Sequence, residues 1–95
     1  MDKIKIDSLI WDDWNITHMV KHKVVREEVE ETCQSGPVFL AGHSGRILAV
    51  GKTQKGRFIT VALDPEENNS YYPVTARPSS KSERKYYDDI KKKES

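Results

Sequence analysis

At 95 residues, with 36% hydrophobic and 33% charged residues, the chain has room for one domain and none for a second core of independent stability. Its apolar residues come in short dense runs, which argues for folding over disorder, and a domain this small gains stability from any partner that covers apolar area. The net charge of +1 hides a front of about −3 over residues 1–36 and a tail of about +3 over residues 77–95, a separation that suits an anionic ligand at one end and a basic partner at the other. The single Cys33 excludes an internal disulfide, the N-terminal residues 1–6 lack an apolar stretch of signal-peptide length, and no run approaches the ~18 apolar residues of a membrane span. These features predict a cytoplasmic protein with no membrane partner.

Ile4 and Ile6 alternate with Lys3 and Lys5, a pattern for a short leading strand or an ordered arm. Asp12 and Asp13 offer carboxylates to the dipole of a helix running to about Lys21, with Ile16, Met19 and Val20 as its apolar stripe and Trp11 and Trp14 close enough to pack. The chain turns at Lys21-His22-Lys23, and a second helix is expected from about Val25 to Gln34, with Val25, Val29 and Cys33 at four-residue spacing among acidic neighbours. Ser35-Gly36-Pro37 ends it. Cys33 reads as a small core residue.

From Val38 the period changes to strands: Val38 to Ala41, Arg46 to Thr53, Arg57 to Asp64 and Ser70 to Arg77, joined by links with turn chemistry that imply antiparallel neighbours. In the third of these, Ile59, Val61 and Leu63 share the face toward the helices. In the fourth, alternation puts Tyr72, Val74 and Ala76 on the core side and Tyr71, Thr75 and Arg77 on the wetter side. Pro78 and the capping box Ser80-Lys81-Ser82-Glu83 announce a last helix to about Lys91, with Tyr86, Tyr87 and Ile90 as its stripe and residues 91–95 as a frayed basic tail. The expectation is an α+β domain: an antiparallel sheet of about four strands with two N-terminal helices and one C-terminal helix.

Two places carry candidate chemistry. Arg77, at a strand end with an aromatic and a hydroxyl along its face, can clamp a phosphate while a base stacks; an ion pair with Glu83 or Asp89 is the other outcome the sequence allows. Lys21-His22 sets a proton-exchanging imidazole beside a cation that can hold a phosphate. His18 and His22 stand four apart, but His18-Met-Val-Lys-His22 lacks the glutamate of a zincin motif and a third ligand. With no nucleophile elbow, P-loop, dinucleotide fingerprint or paired-cysteine site, acyl-hydrolase, nucleotide-hydrolase and redox readings lapse.

Taken in order, Trp11-Asp12 leading a short helix, Lys21-His22, Arg46-Ile-Leu-Ala-Val-Gly51, Val74-Thr-Ala-Arg77 and Lys81-Ser-Glu-Arg84 resemble the BrnT family of bacterial toxins, over about residues 8 to 88. Each piece alone is unspecific; the ordered set is fairly specific. The resemblance implies a RelE-like fold, ribonuclease activity without a metal or other cofactor, and a cognate BrnA-like antitoxin with a ribbon-helix-helix DNA-binding domain, through which the complex reaches operator DNA. The family's motif positions fall on Lys21, His22, Arg46, Gly51, Arg77, Glu83 and Arg84. Where the family usually has glycine after the histidine, this chain has Lys23.

For metal-free RNA cleavage the 2′-hydroxyl attacks the adjacent phosphorus, which needs proton transfer and cations for the developing charge. The expected catalytic residues are His22, Arg77 and Arg46, with Lys21, Lys55, Arg57, Arg84 and Tyr87 contacting RNA. In a simple meander Arg46 begins one strand and Arg77 ends another, roughly 25 Å apart, so the site is expected at the Arg77 end, joined by Lys55 and Arg57. The rival expectation is a non-catalytic docking module of the same fold. A plain RNA-binding domain ranks last, because the RNP aromatic pattern and the K-homology GXXG motif are both missing.

Overall fold

The structure, a computed structural model, describes residues 4–94. A five-stranded sheet divides the chain into two sides, with strand order β1-β5-β4-β3-β2. Its strands are β1 (Ser8–Leu9), β2 (Val38–Ala41), β3 (Ile47–Lys52), β4 (Phe58–Pro65) and β5 (Ser70–Pro78); the helices are α1 (Asp13–Val20), α2 (Arg26–Gln34) and α3 (Lys81–Glu94). Strands β2 to β5 form the antiparallel meander that the turn-rich links predict, whereas β1 lies parallel to β5. The fold is therefore α+β with three helices, and its sheet is five-stranded and mixed where four antiparallel strands were expected.

The added strand is two residues long, too short to show a period. It falls at Ser8–Leu9 and not over Ile4 to Ile6, where the alternation lies. Ile4 and Ile6 instead pack, partly buried, against the core as an arm; Lys3 lies outside the described residues. Backbone bonds from Asp7 N to Asn69 O and from Ile10 N to Tyr71 O, both 2.9 Å, fix the arm to the edge of β5.

Asp12 starts α1 by accepting from Asn15 N at 2.9 Å, while Asn15 Oδ1 accepts from Asp12 N at 2.9 Å, a reciprocal cap. Asn15 is fully buried, and its amide nitrogen donates to Ile10 O and Pro73 O, both at 3.0 Å. One side chain thus ties the incoming chain, the helix start and β5 together. The helix α2 starts with Glu28 accepting from Val25 N at 3.2 Å. Met19, Val24, Val29 and Cys33 bring both helices onto Ala49, Ile59, Val61 and Leu63, making one core on the first sheet face. Burial of each large aliphatic there is worth about 1.5–3 kcal/mol. Ala49 faces Val61 across β3 and β4, so the face expected for Ile59, Val61 and Leu63 is the observed one.

In β5 the expected alternation holds from Thr75 onward and fails before it. The register steps from Ala62↔Thr75 to Leu63↔Pro73, which leaves Val74 as an extra residue in a bulge. Ala76 stays on the core side and Arg77 on the other, but Tyr71, 8% exposed, turns into the core and Tyr72 turns out of it. Helix α3 packs on the second face. Its start is the expected capping box: Ser80 N donates to Glu83 Oε1 at 2.8 Å and Glu83 N donates to Ser80 Oγ at 3.2 Å. Tyr86 reaches the carbonyl of Phe39, and Lys91 donates to the carbonyl of Gly36, so the basic end of α3, helical through Glu94, is bonded across to β2 and the turn before it.

Candidate functional site

Three connections meet at the end of the sheet where β3 leaves, β4 enters and β5 leaves. The α1–α2 turn is held there by Arg57, whose Nη1 donates to Lys23 O at 2.9 Å and to both oxygens of Glu28 at 2.9 Å. Lys23 has a φ of 62°, in the left-handed region that glycine enters without cost. A lysine here therefore takes the backbone shape a glycine would give, at some strain. His22 is exposed on this turn beside Lys21 and Lys23. Lys55, in the exposed β3–β4 turn, stands two residues before Arg57.

On the α3 side of the same end, Thr60 pairs in register with Arg77, and Ser79 N donates to Phe58 O at 3.1 Å. Arg77 is held by a bidentate pair with Glu83, Nη1 to Oε1 at 2.7 Å and Nη2 to Oε2 at 2.8 Å. Thr60 Oγ1 adds a third donor to Glu83 Oε1 at 3.0 Å. The Arg77 guanidinium, then the Ser80 backbone amide and the Thr60 hydroxyl, draw the Glu83 carboxyl down to about 2 against the opposing effect of burial. Arg77 is thus neutralised by the partner that the sequence allowed as the alternative to a ligand. Its side chain still stands 47% exposed, and the pair uses one N–H from each Nη, so the rest of its five donors have no protein acceptor among the described residues.

Tyr87 of α3 meets Phe58 of β4 edge to face at 5.3 Å, with the ammonium of Lys52 above both rings, and so packs half-buried between helix and sheet at this end. Arg84 is exposed in the first turn of α3. Arg46 lies elsewhere: its Nε donates to Asp64 at 3.1 Å at the opposite end of β3 and β4. Asp64 and Thr60 are separated by four residues of strand, roughly 13 Å. Of the eight expected site residues, the fold gathers Lys21, His22, Lys55, Arg57, Arg77, Arg84 and Tyr87 at one end and leaves Arg46 at the other. His22 and Arg77 share that end from opposite faces of the sheet. Among the described residues, Lys21, Lys23, Lys55 and Arg84 have no acidic partner, whereas Arg46, Arg57 and Arg77 each have one.

A cavity of about 250 Å³ opens between α2 and the end of β3, lined by Glu31, Gln34, Ser35, Lys52, Thr53 and Gln54, and none of the expected site residues lines it. Cys33 is buried, and burial first, then Glu30, pushes its thiol up to about 12. Among the described residues no group of three or more His, Cys, Asp and Glu side chains is set to hold a metal ion.

The rings of α1 pair differently from the expected Trp11–Trp14 contact. Trp14 does not pack on Trp11, whose indole donates to Glu30 at 2.7 Å beneath Arg26. Instead Trp14 lies flat on His18, with centroids 4.7 Å apart and planes 8° from parallel, and His18 meets His22 edge to face at 5.2 Å. The signal was present in the spacing of positions 14, 18 and 22, which puts three rings along one helix stripe. No protein-family model matches the chain, and neither does any curated protein or solved structure.

Proposed function

We propose that this chain is an RNA-cleaving toxin of the BrnT kind, with a RelE-like fold and a ribbon-helix-helix antitoxin that neutralises it and carries the pair to operator DNA. Beyond the resemblance, one observation carries the reading: an exposed histidine, His22, stands between Lys21 and Lys23 on a turn that Arg57 holds at the β3–β4 end of the sheet, and among the described residues neither lysine has a carboxylate partner. Unpaired lysines in water are the electrostatic footprint of a phosphate chain.

In the proposed reaction a substrate 2′-oxygen attacks the adjacent phosphorus and loses its proton, and the bond from phosphorus to the 5′-oxygen breaks as that oxygen gains one. The products are a 2′,3′-cyclic phosphate and a 5′-hydroxyl. His22 transfers protons; Lys21 and Lys23 offset the charge that builds on the phosphoryl oxygens. Arg77, through the donors Glu83 leaves open, and Arg84 hold a neighbouring phosphate on the far side of the sheet end. Arg57 shapes the turn through Lys23 and Glu28, Tyr87 supports the surface from beneath, and Arg46 stands outside the site.

The Glu83 clasp on Arg77 favours a second reading, a docking module of the same fold without catalysis. Expression of the chain alone and together with a neighbouring ribbon-helix-helix reading frame separates the two. Growth arrest with loss of cellular RNA, relieved by the neighbour, is expected of the toxin; normal growth with intact RNA leaves the docking module.

A further inference from the structure

We propose that the Trp14–His18 stack, with His22 edge-on beyond it, is a stacking platform for unpaired nucleobases, so that the substrate is single-stranded RNA threaded along α1 toward His22. The inference rests on the RNA-cleaving reading above and specifies its substrate. Trp14 is 56% exposed, an unusual cost for the largest apolar side chain of a small domain. One face of its indole is covered by His18, and among the described residues no other ring, cation or hydrogen bond engages it. The stacked imidazole holds the indole in one orientation, so a base added to the open face extends a column that is already built.

Helix geometry then supplies direction. Trp14, His18 and Lys21 follow at i, i+4 and i+7, one stripe of α1 continued through its C-cap, where Lys21 keeps helical backbone angles of −60° and −26°. Seven residues of helix rise about 10 Å, so a base on Trp14 leaves its strand's next phosphates within reach of Lys21 and Lys23. A paired duplex buries its base faces and cannot offer one to Trp14; a protein partner would use the indole but has no need of the flanking unpaired lysines.

The test is equilibrium binding of a ten-nucleotide single-stranded RNA carrying 2′-O-methyl groups, which block the attacking oxygen and let binding be read apart from cleavage. Wild type is expected to bind with quenching of tryptophan fluorescence, and to bind the same sequence as a duplex more weakly. Trp14→Ala is expected to weaken binding about tenfold or more and to lose the quench, while Trp14→Tyr keeps most of the affinity. Equal binding by wild type and Trp14→Ala, or no binding by wild type, overturns the platform. If Trp14-dependent binding is found while unmodified RNA stays intact, the nuclease reading falls and the platform stands. If His22-dependent cleavage is found while Trp14→Ala binds normally, the platform alone falls.

Discussion

Replacing Glu83 by alanine removes the one carboxylate that caps α3, takes the Thr60 hydroxyl and clasps Arg77. Its carboxyl falls from 4.5 to about 2 on folding, a linkage of about 3 kcal/mol at 1.36 kcal/mol per unit; because half of the Arg77 side chain is in water, about 2–3 kcal/mol is the working figure. Against the 5–15 kcal/mol typical of a domain this is a large share. A carboxyl lowered on folding stabilises the native state above its unfolded value and loses that stabilisation as pH falls through its folded value. The gap between wild type and Glu83→Ala in urea unfolding should therefore be full at pH 7 and shrink between about pH 4.5 and about pH 2, falling below half by about pH 3. A variant within about 1 kcal/mol of wild type at pH 7, or a gap unchanged at pH 3, would refute the clasp as the tie between α3 and β5.

Two further outcomes follow from buried and strained positions. Asn15→Asp would aim a buried carboxylate at the carbonyls of Ile10 and Pro73 in place of a donating amide, and should cost about 3 kcal/mol or more in urea unfolding at neutral pH; a cost under about 1 kcal/mol would contradict the bonding given to Asn15. Lys23→Gly relieves the left-handed strain at a φ of 62° while keeping the carbonyl that Arg57 binds. It should raise stability by about 0.5–1 kcal/mol and weaken RNA binding through the lost cation, with the two effects read by denaturation and by titration at several salt concentrations.

The elements were legible wherever a local signal marked them. The carboxylates that open α1, the cap at Ser80, the stop at Gly36-Pro37 and the alternation of Ile59, Val61 and Leu63 each depend on neighbours in sequence, and each is readable there. The bulge at Val74 was not read from alternation, which assumes an unbroken period; Pro73, a residue without an N–H inside a strand, was the warning that the ladder is interrupted there. Strand β1 owes its existence to pairing with β5, far away in the chain, and two residues carry no pattern of their own. The same distance hid the Arg46–Asp64 and Arg57–Glu28 pairs, whereas Glu83, only six residues from Arg77, could be named in advance. The Trp14–His18 stack is hidden in the sequence because Trp11, three residues from Trp14, is an equally good packing partner by spacing.

Incubation of the purified chain with an unstructured RNA in the presence of a metal chelator tests the central claim most directly. The account predicts fragments ending in 2′,3′-cyclic phosphate, formed about a hundredfold or more slowly by His22→Ala, whose exposed side chain can be removed without loss of the fold. Intact RNA under those conditions, or cleavage by His22→Ala at the wild-type rate, would contradict it.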